Sequence, residues 1–271
     1  MRTAAVMLAT LLIAAASMSA EEVRILESAE DWAVVGTDDF SLRIDRTGAI
    51  GKVMVGETEY SWLIRLYTTP VVPETGEGLR AVQGEGGRSL GPPPEQFLVE
   101  QRGEIVCAII RQVAARDEIY QGEPLYNLTQ IVTIHPSGLV NLRYEFDWLR
   151  LLDFKGASLI MALRAAALDG CRWWAEMPPD RLGGIISAAP EARSLDAIKG
   201  PMRTFVARCE GEELHLWVNE SGRVTAPRWN PDDYAFTLQV PHTGHEGSVY
   251  AGLQSVIDVD LKLPVPREDE P

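Results

Sequence analysis

Along most of the chain apolar residues recur at every second position, the period of a strand with one buried and one exposed face. In residues 40–45, Phe40, Leu42 and Ile44 share one face, and Ser41, Arg43 and Asp45 the other. Arg46-Thr47-Gly48 then turns the chain into a predicted strand over 49–55, and Gly56-Glu57-Thr58 turns it again into one over 60–67, which reads as a meander. The clearest hairpin lies further on. Residues 126–134 lead through His135-Pro136-Ser137-Gly138 into 139–148, where Leu142, Tyr144, Phe146 and Trp148 alternate with Asn141, Arg143, Glu145 and Asp147. Pro136 presets one turn dihedral and Gly138 accepts a positive one. Further strands are predicted over 97–100, 104–113, 158–163, 171–176, 204–208, 214–219, 234–240 and 248–258. Sustained helical periodicity is nearly absent.

Between positions 67 and 97 the pattern gives way to Gly, Pro and Glu, ending in Gly91-Pro92-Pro93-Pro94. Strands of the same character resume beyond it, so it reads as a surface excursion and not as a domain linker. Residues 263–271, rich in Pro and acidic groups, are expected to be a disordered tail. Many short strands of one continuous character imply an all-β protein, a single large antiparallel β-sandwich over residues 21–262. The alternative is a split into two smaller sandwiches near Gly156 or Pro190.

The N-terminus changes the compartment. Arg2 precedes an apolar run over 4–16, small residues follow at Ser17, Ser19 and Ala20, and Glu21-Glu22 comes next. That is the layout of a signal peptide over residues 1–20, cut after Ser19 or Ala20, and it places the protein in the periplasm or outside the cell. No later stretch is apolar enough for a membrane span; the longest, 157–168, contains Arg164. A net charge of −14 would repel phosphate backbones, which argues against nucleic acid as a partner. Three cysteines, Cys107, Cys171 and Cys209, allow three pairings in an oxidising compartment. Cys171 with Cys209 is the pairing expected, with Cys107 a small buried hydrophobe in an apolar run. No Cys or His spacing for zinc is present.

The meander FSLRIDRTGAIGKVMVGETEY over 40–60 and the hairpin YNLTQIVTIHPSGLVNLRYEFDW over 126–148 resemble the strand, glycine turn, strand order of the galactose-mutarotase-like super-sandwich superfamily. The resemblance extends over most of 32–258 and implies that architecture and a carbohydrate context. Enzymes of that family use a mid-chain histidine pair and a late glutamate as acid and base. This sequence departs from them, because His135 sits at a hairpin turn with no second histidine beside it.

Candidate site residues fall in several segments. His242, His245 and Glu246 in Pro241-His242-Thr243-Gly244-His245-Glu246-Gly247 form an acid/base or sugar-contacting candidate. The Pro and Gly residues forbid the helix that would align both imidazoles on a metal; a loop can still converge them, so metal binding there stays open. Glu145 and Asp147 lie on one strand face with backbones roughly 7 Å apart, a spacing compatible with paired glycosidase carboxylates, and Arg143 shares that face. Trp173 and Trp174 point to opposite faces, so only one can meet a ligand; Trp174 is taken as the candidate. Trp229, in the turn-rich Arg228-Trp229-Asn230-Pro231-Asp232-Asp233, is the tryptophan best placed for exposure, and Asn230, Asp232 and Asp233 could ligate calcium. No other cofactor is expected.

Three functions are open: a saccharide-binding or accessory module, a carbohydrate-active enzyme (aldose epimerase, lyase or glycoside hydrolase), and a structural envelope-assembly sandwich without a small ligand. If a sugar site includes both Trp229 and the 242–246 loop, the strand between them separates the two by about 20 Å, which calls for an extended ligand. Protein recovered from the expressing cell is expected to begin at Ala20 or Glu21 on N-terminal sequencing; an intact Met1 would contradict the export reading.

Overall fold

The strict alternation of the 139–148 segment becomes the centre of the core: Leu142, Tyr144, Phe146 and Trp148 are all buried, each at 1% exposure or less. Each such burial is worth about 2 kcal/mol. Their neighbours across the hairpin are Val132, Gln130, Leu128 and Tyr126. The aromatic members pack edge to face and offset, with Tyr126 4.9 Å from Trp148 and Phe146 5.3 Å from it. The computed structural model describes residues 22–84, 89–243 and 248–265. Residues 1–21, which include the expected leader, lie outside them, as do His245, Glu246 and residues 266–271.

In chain order the strands are β1 (Arg24–Ala29), β2 (Trp32–Gly36), β3 (Phe40–Asp45), β4 (Ile50–Val55), β5 (Thr58–Pro70), β6 (Ala81–Val82) and β7 (Gln96–Arg102). Then come β8 (Ile105–Ala114), β9 (Tyr126–Ile134), β10 (Leu139–Trp148), β11 (Leu152–Arg164), β12 (Arg172–Met177), β13 (Asp180–Ile185) and β14 (Lys199–Gly200). The last are β15 (Thr204–Cys209), β16 (Glu212–Glu220), β17 (Val224–Thr225), β18 (Arg228–Asn230), β19 (Asp233–Gln239), β20 (Ser248–Val249) and β21 (Gln254–Lys262). Among the described residues there is no α-helix.

Two antiparallel sheets result. The wide sheet runs β1-β2-β3-β4-β5-β11-β19-β17-β14, with β6, β18 and β20 paired to its members; the narrow sheet runs β13-β12-β15-β16-β21-β10-β9-β8-β7. One buried cluster, from Val23 to Leu263, draws on both. Phe205 of β15 meets Phe236 of β19 across the interior at 4.7 Å. The molecule is an all-β sandwich. Cys171 and Cys209 are joined by a disulfide at the end of the β12–β15 pair, and Cys107 is free and buried.

Several elements differ from the sequence pattern, each for a physical reason. β1 and β13 are edge strands exposed along most of their length, so they carry no alternation to read. The expected strand over 248–258 is two: β20 pairs with β11 in the wide sheet, a turn at Gly252 (φ 83°) redirects the chain, and β21 joins the narrow sheet. Leu263, expected to open the tail, is buried and its N–H donates to Gly138 O. The 67–97 segment is not merely a surface excursion. β5 continues to Pro70, β6 pairs back on it, and Ala81, Val82, Gln83 and Leu90 are buried.

Gln83 is carried inward by that return. Its Oε1 accepts from the Leu66 N–H of β5 at 3.0 Å, and its Nε2 donates to Gln130 Oε1 of β9 at 2.8 Å. Gln130 Nε2 donates in turn to Gly48 O at 2.8 Å and to the Tyr144 hydroxyl at 3.1 Å. Burial pushes the Tyr144 phenol up, so it stays a neutral partner. Gly48 has φ 87°, and a Cβ there would overlap both glutamine side chains. Gly48→Ala is therefore expected to cost about 3 kcal/mol through combined backbone strain and displacement of the amide pair. The check is a fall in the urea midpoint with unchanged slope; wild-type stability would refute it.

Candidate functional site

The outer face of the wide sheet is built by its three longest central neighbours. On β19 Tyr234, Phe236 and Leu238 point into the core at 0% exposure, so Asp233, Thr237 and Gln239 point outward. Pairing sets Tyr67 of β5, Ser158 of β11 and Gln239 of β19 in one row across the sheet. Here lies a cleft of about 250 Å3 lined by Lys155, Gly156, Ser158, Arg223, Thr225, Thr237, Gln239 and Thr243. Gln239 Nε2 donates to Thr243 O at 2.7 Å, and the Thr243 hydroxyl donates to Val240 O at 2.7 Å. Arg80 lies over the Tyr67 ring at 5.2 Å, adding a cation beside the row.

The loop that follows is tied to the core. The Trp148 indole donates to Ser255 Oγ at 2.9 Å, and that hydroxyl donates to Pro241 O at 3.2 Å. His242 comes next, exposed and in the left-handed region at φ 68°, immediately before the cleft residue Thr243. His245 and Glu246 lie outside the described residues.

At the opposite end of β19 a second cluster occupies the same face, about 20 Å along the strand. Trp229 is 42% exposed and stacks on Trp62 with centroids 6.0 Å apart and planes 12° from parallel. Asp233 beneath them is 1% exposed. It accepts from the Trp62 indole at 2.9 Å, from Asn230 Nδ2 at 2.7 Å and from Arg164 at 3.2 Å. Burial works against the Arg164 charge, but its bond to Glu59 and the field of Asp233 outweigh it and hold the guanidinium above its ordinary range. Both Asp233 oxygens thus face N–H donors. Asn230 Oδ1 likewise accepts from the Asp232 N–H at 2.8 Å. Among the described residues no group of three or more His, Cys, Asp or Glu is placed to hold a metal ion.

The remaining candidates are on the other side of the sandwich, the outer face of the narrow sheet. Arg143 binds Glu145 and Asp258, both at 2.7 Å, while Asp147 accepts from Asn127 at 3.4 Å. Glu145 and Asp147 are therefore separate members of a ladder, and Arg143 is engaged by carboxylates. Asn141 and Asn219 each bridge Asp258 and Asp260 at 3.0 Å. Trp174 lies between Arg181 at 5.7 Å and Arg208 at 5.5 Å, while Trp173 faces the core at 5% exposure. These residues do not converge with Trp229 or His242.

Several solved structures share this architecture. The galactose 1-epimerase from Lactobacillus acidophilus covers 89% of this chain and 97% of its own with a TM-score of 0.55 at 10% identity. The Slr1438 protein from Synechocystis covers 90% and 96% with 0.57 at 10% identity. The GalM/aldose epimerase homologue from C. elegans covers 90% and 100% with 0.52 at 8% identity. The fold is galactose mutarotase-like. No family model and no curated protein matches the chain.

Within this mutarotase-like sandwich the described cleft lining contains two cations, several hydroxyls and an amide, but no carboxylate or imidazole. Lys155, Ser158, Arg223, Thr237 and Gln239 escaped the sequence reading. The alternation over 234–240 does put Thr237 and Gln239 on the polar face, but only strand pairing shows that Ser158 and Arg223 stand beside them. On the narrow sheet, burial opposes ionisation of Asp258. Hydrogen bonds from Asn219, Arg143 and Asn141 outweigh it, so the carboxyl is held below the usual range. A carboxylate depressed in the folded state stabilises fully above its unfolded value, about pH 4, and loses that contribution as pH falls through the lower folded value. Asp258→Asn is expected to flatten the acid limb of stability below about pH 4. Urea midpoints across that range are the measurement, and an unchanged limb would contradict the assignment.

Proposed function

We propose that the chain is an exported protein that binds saccharide along the outer face of the wide sheet. An acidic sugar unit lies in the Lys155–Arg223 cleft, and a further ring rests against Trp229. The lining of the cleft carries this reading: on a protein of net charge −14, cations and hydroxyls gather where no described carboxylate intrudes. Such a patch focuses an anionic ligand, and charge-assisted hydrogen bonds to a carboxylate or sulfate orient it. Exposed Trp229, held flat by Trp62 and by the Asp233 network, offers the apolar face that sugar C–H groups stack on. The fold's epimerase neighbours support saccharide as the ligand class.

The runner-up is a carbohydrate-active enzyme. It rests on His242, exposed one residue from the cleft wall, together with His245 and Glu246 as the remaining acid/base candidates.

Calorimetric titration of the full chain with uronate oligosaccharides and with neutral oligosaccharides of the same lengths tests the proposal. Uronates are expected to bind more tightly and to weaken with salt. Arg223→Ala and Lys155→Ala should each cost about tenfold in affinity, the loss of one charge-assisted hydrogen bond. Trp229→Ala should weaken long oligomers and spare short ones. Equal or absent binding of uronates would refute the site, and turnover of a bound sugar would favour the enzyme.

A further inference from the structure

A second cavity, of about 480 Å3, opens where the β3–β4 turn meets the segment 89–94, and it shares no lining residue with the cleft. Its size falls within the range of small-molecule sites. Three of its lining side chains each hold a buried polar atom without a hydrogen-bond partner: Arg46 Nε, Thr47 Oγ1 and Gln112 Oε1. Only five such atoms occur among the described residues, so their gathering at one cavity is not a scatter of packing faults.

Gln112 is 94% buried by its 6% exposure, and its orientation is chemically determined. Its Nε2 donates to Pro92 O at 2.9 Å, and a carbonyl can only accept, so Oε1 is the atom left over. It requires a donor. Arg46 Nε–H requires an acceptor, and the Thr47 hydroxyl can serve as either. Opposite Thr47 stands Gly84 at φ 77°, where a Cβ would come to 3.0 Å from Thr47 Oγ1.

The charges lining the cavity cancel. Asp31 and Asp45 are matched by Arg43 and Arg46, with Arg43 bound to Asp45 at 2.8 Å and Arg46 3.7 Å from Asp31. Leu90, Pro93 and Pro94 supply an apolar wall. The occupant that fits is uncharged, carries neighbouring donor and acceptor groups, and has one apolar face. We propose that this cavity is a second saccharide site, selective for a neutral sugar ring whose adjacent hydroxyls donate to Gln112 Oε1 and accept from Arg46 Nε–H, with Thr47 between them.

This site is independent of the anionic one. Saturation-transfer NMR and titration with maltose and lactose on the full chain are expected to show binding of at least one of these neutral disaccharides. Thr47→Val, which keeps the shape and removes the hydroxyl, should weaken it by about tenfold. Gln112→Leu should do the same, and Thr47→Val keeps the test decisive if the loss of the Pro92 bond unfolds the Leu variant. Uronate oligosaccharides should not displace the neutral sugar. Absence of transfer at millimolar sugar would leave ordered water as the occupant and overturn the proposal. Equal affinity in wild type and Thr47→Val, or displacement by uronates, would overturn it as well.

Discussion

Two glutamines sealed from water set how the sheets of this protein face each other. Apolar contact is non-directional, and a core of Leu, Ile, Val and Phe tolerates sliding of one sheet over the other. The Gln83–Gln130 hydrogen bond does not, because each amide is also spoken for elsewhere: Gln83 by the β5 backbone, Gln130 by the Gly48 carbonyl and the Tyr144 hydroxyl. A shift in register would leave several buried polar groups unpaired, each at a cost of about 1–3 kcal/mol. The β3–β4 turn, the long return through β6 and the β9–β10 hairpin are therefore fastened at one point.

That fastening has consequences for both proposed ligand-facing regions. The β3–β4 turn that contributes Gly48 also carries Arg46 and Thr47, so the walls of the 480 Å3 cavity are anchored by the same amide pair. β5, held by Gln83, positions Tyr67 beside Ser158 and Gln239 on the outer face. A rigid sheet presenting side chains from several strands is the arrangement that preorganises a binding surface.

The two outer faces have opposite characters. On the narrow sheet Arg143, Glu145 and Asp258 satisfy one another, and Asn141 and Asn219 complete the pattern. A ligand there would have to break charge-assisted bonds before forming its own. On the wide sheet Lys155 and Arg223 approach the cleft from β11 and from the loop before β17, without a described carboxylate between them. This face combines accessible charge with the exposed aromatic platform of Trp229.

Alternation alone determined the class of this protein: Leu142, Tyr144, Phe146 and Trp148 declare a half-buried strand because period two is a property of the backbone itself. The Pro136–Gly138 turn and the turn-rich surroundings of Trp229 are local in the same way, and so are the exposed ends they produce. Local signals failed where burial was uniform, as in the exposed edges β1 and β13, and where a return through a Gly- and Pro-rich segment carried Gln83 into the core. Which residues meet on a face was decided only by tertiary structure. Glu145 and Asp147 have the spacing of a pair, yet Glu145 is bound by Arg143 and Asp147 by Asn127. Tyr67, Ser158 and Gln239 form one row although long stretches of chain separate them. Strand order and register arise from closing those loops around a shared core, a collective balance that no window of the sequence contains.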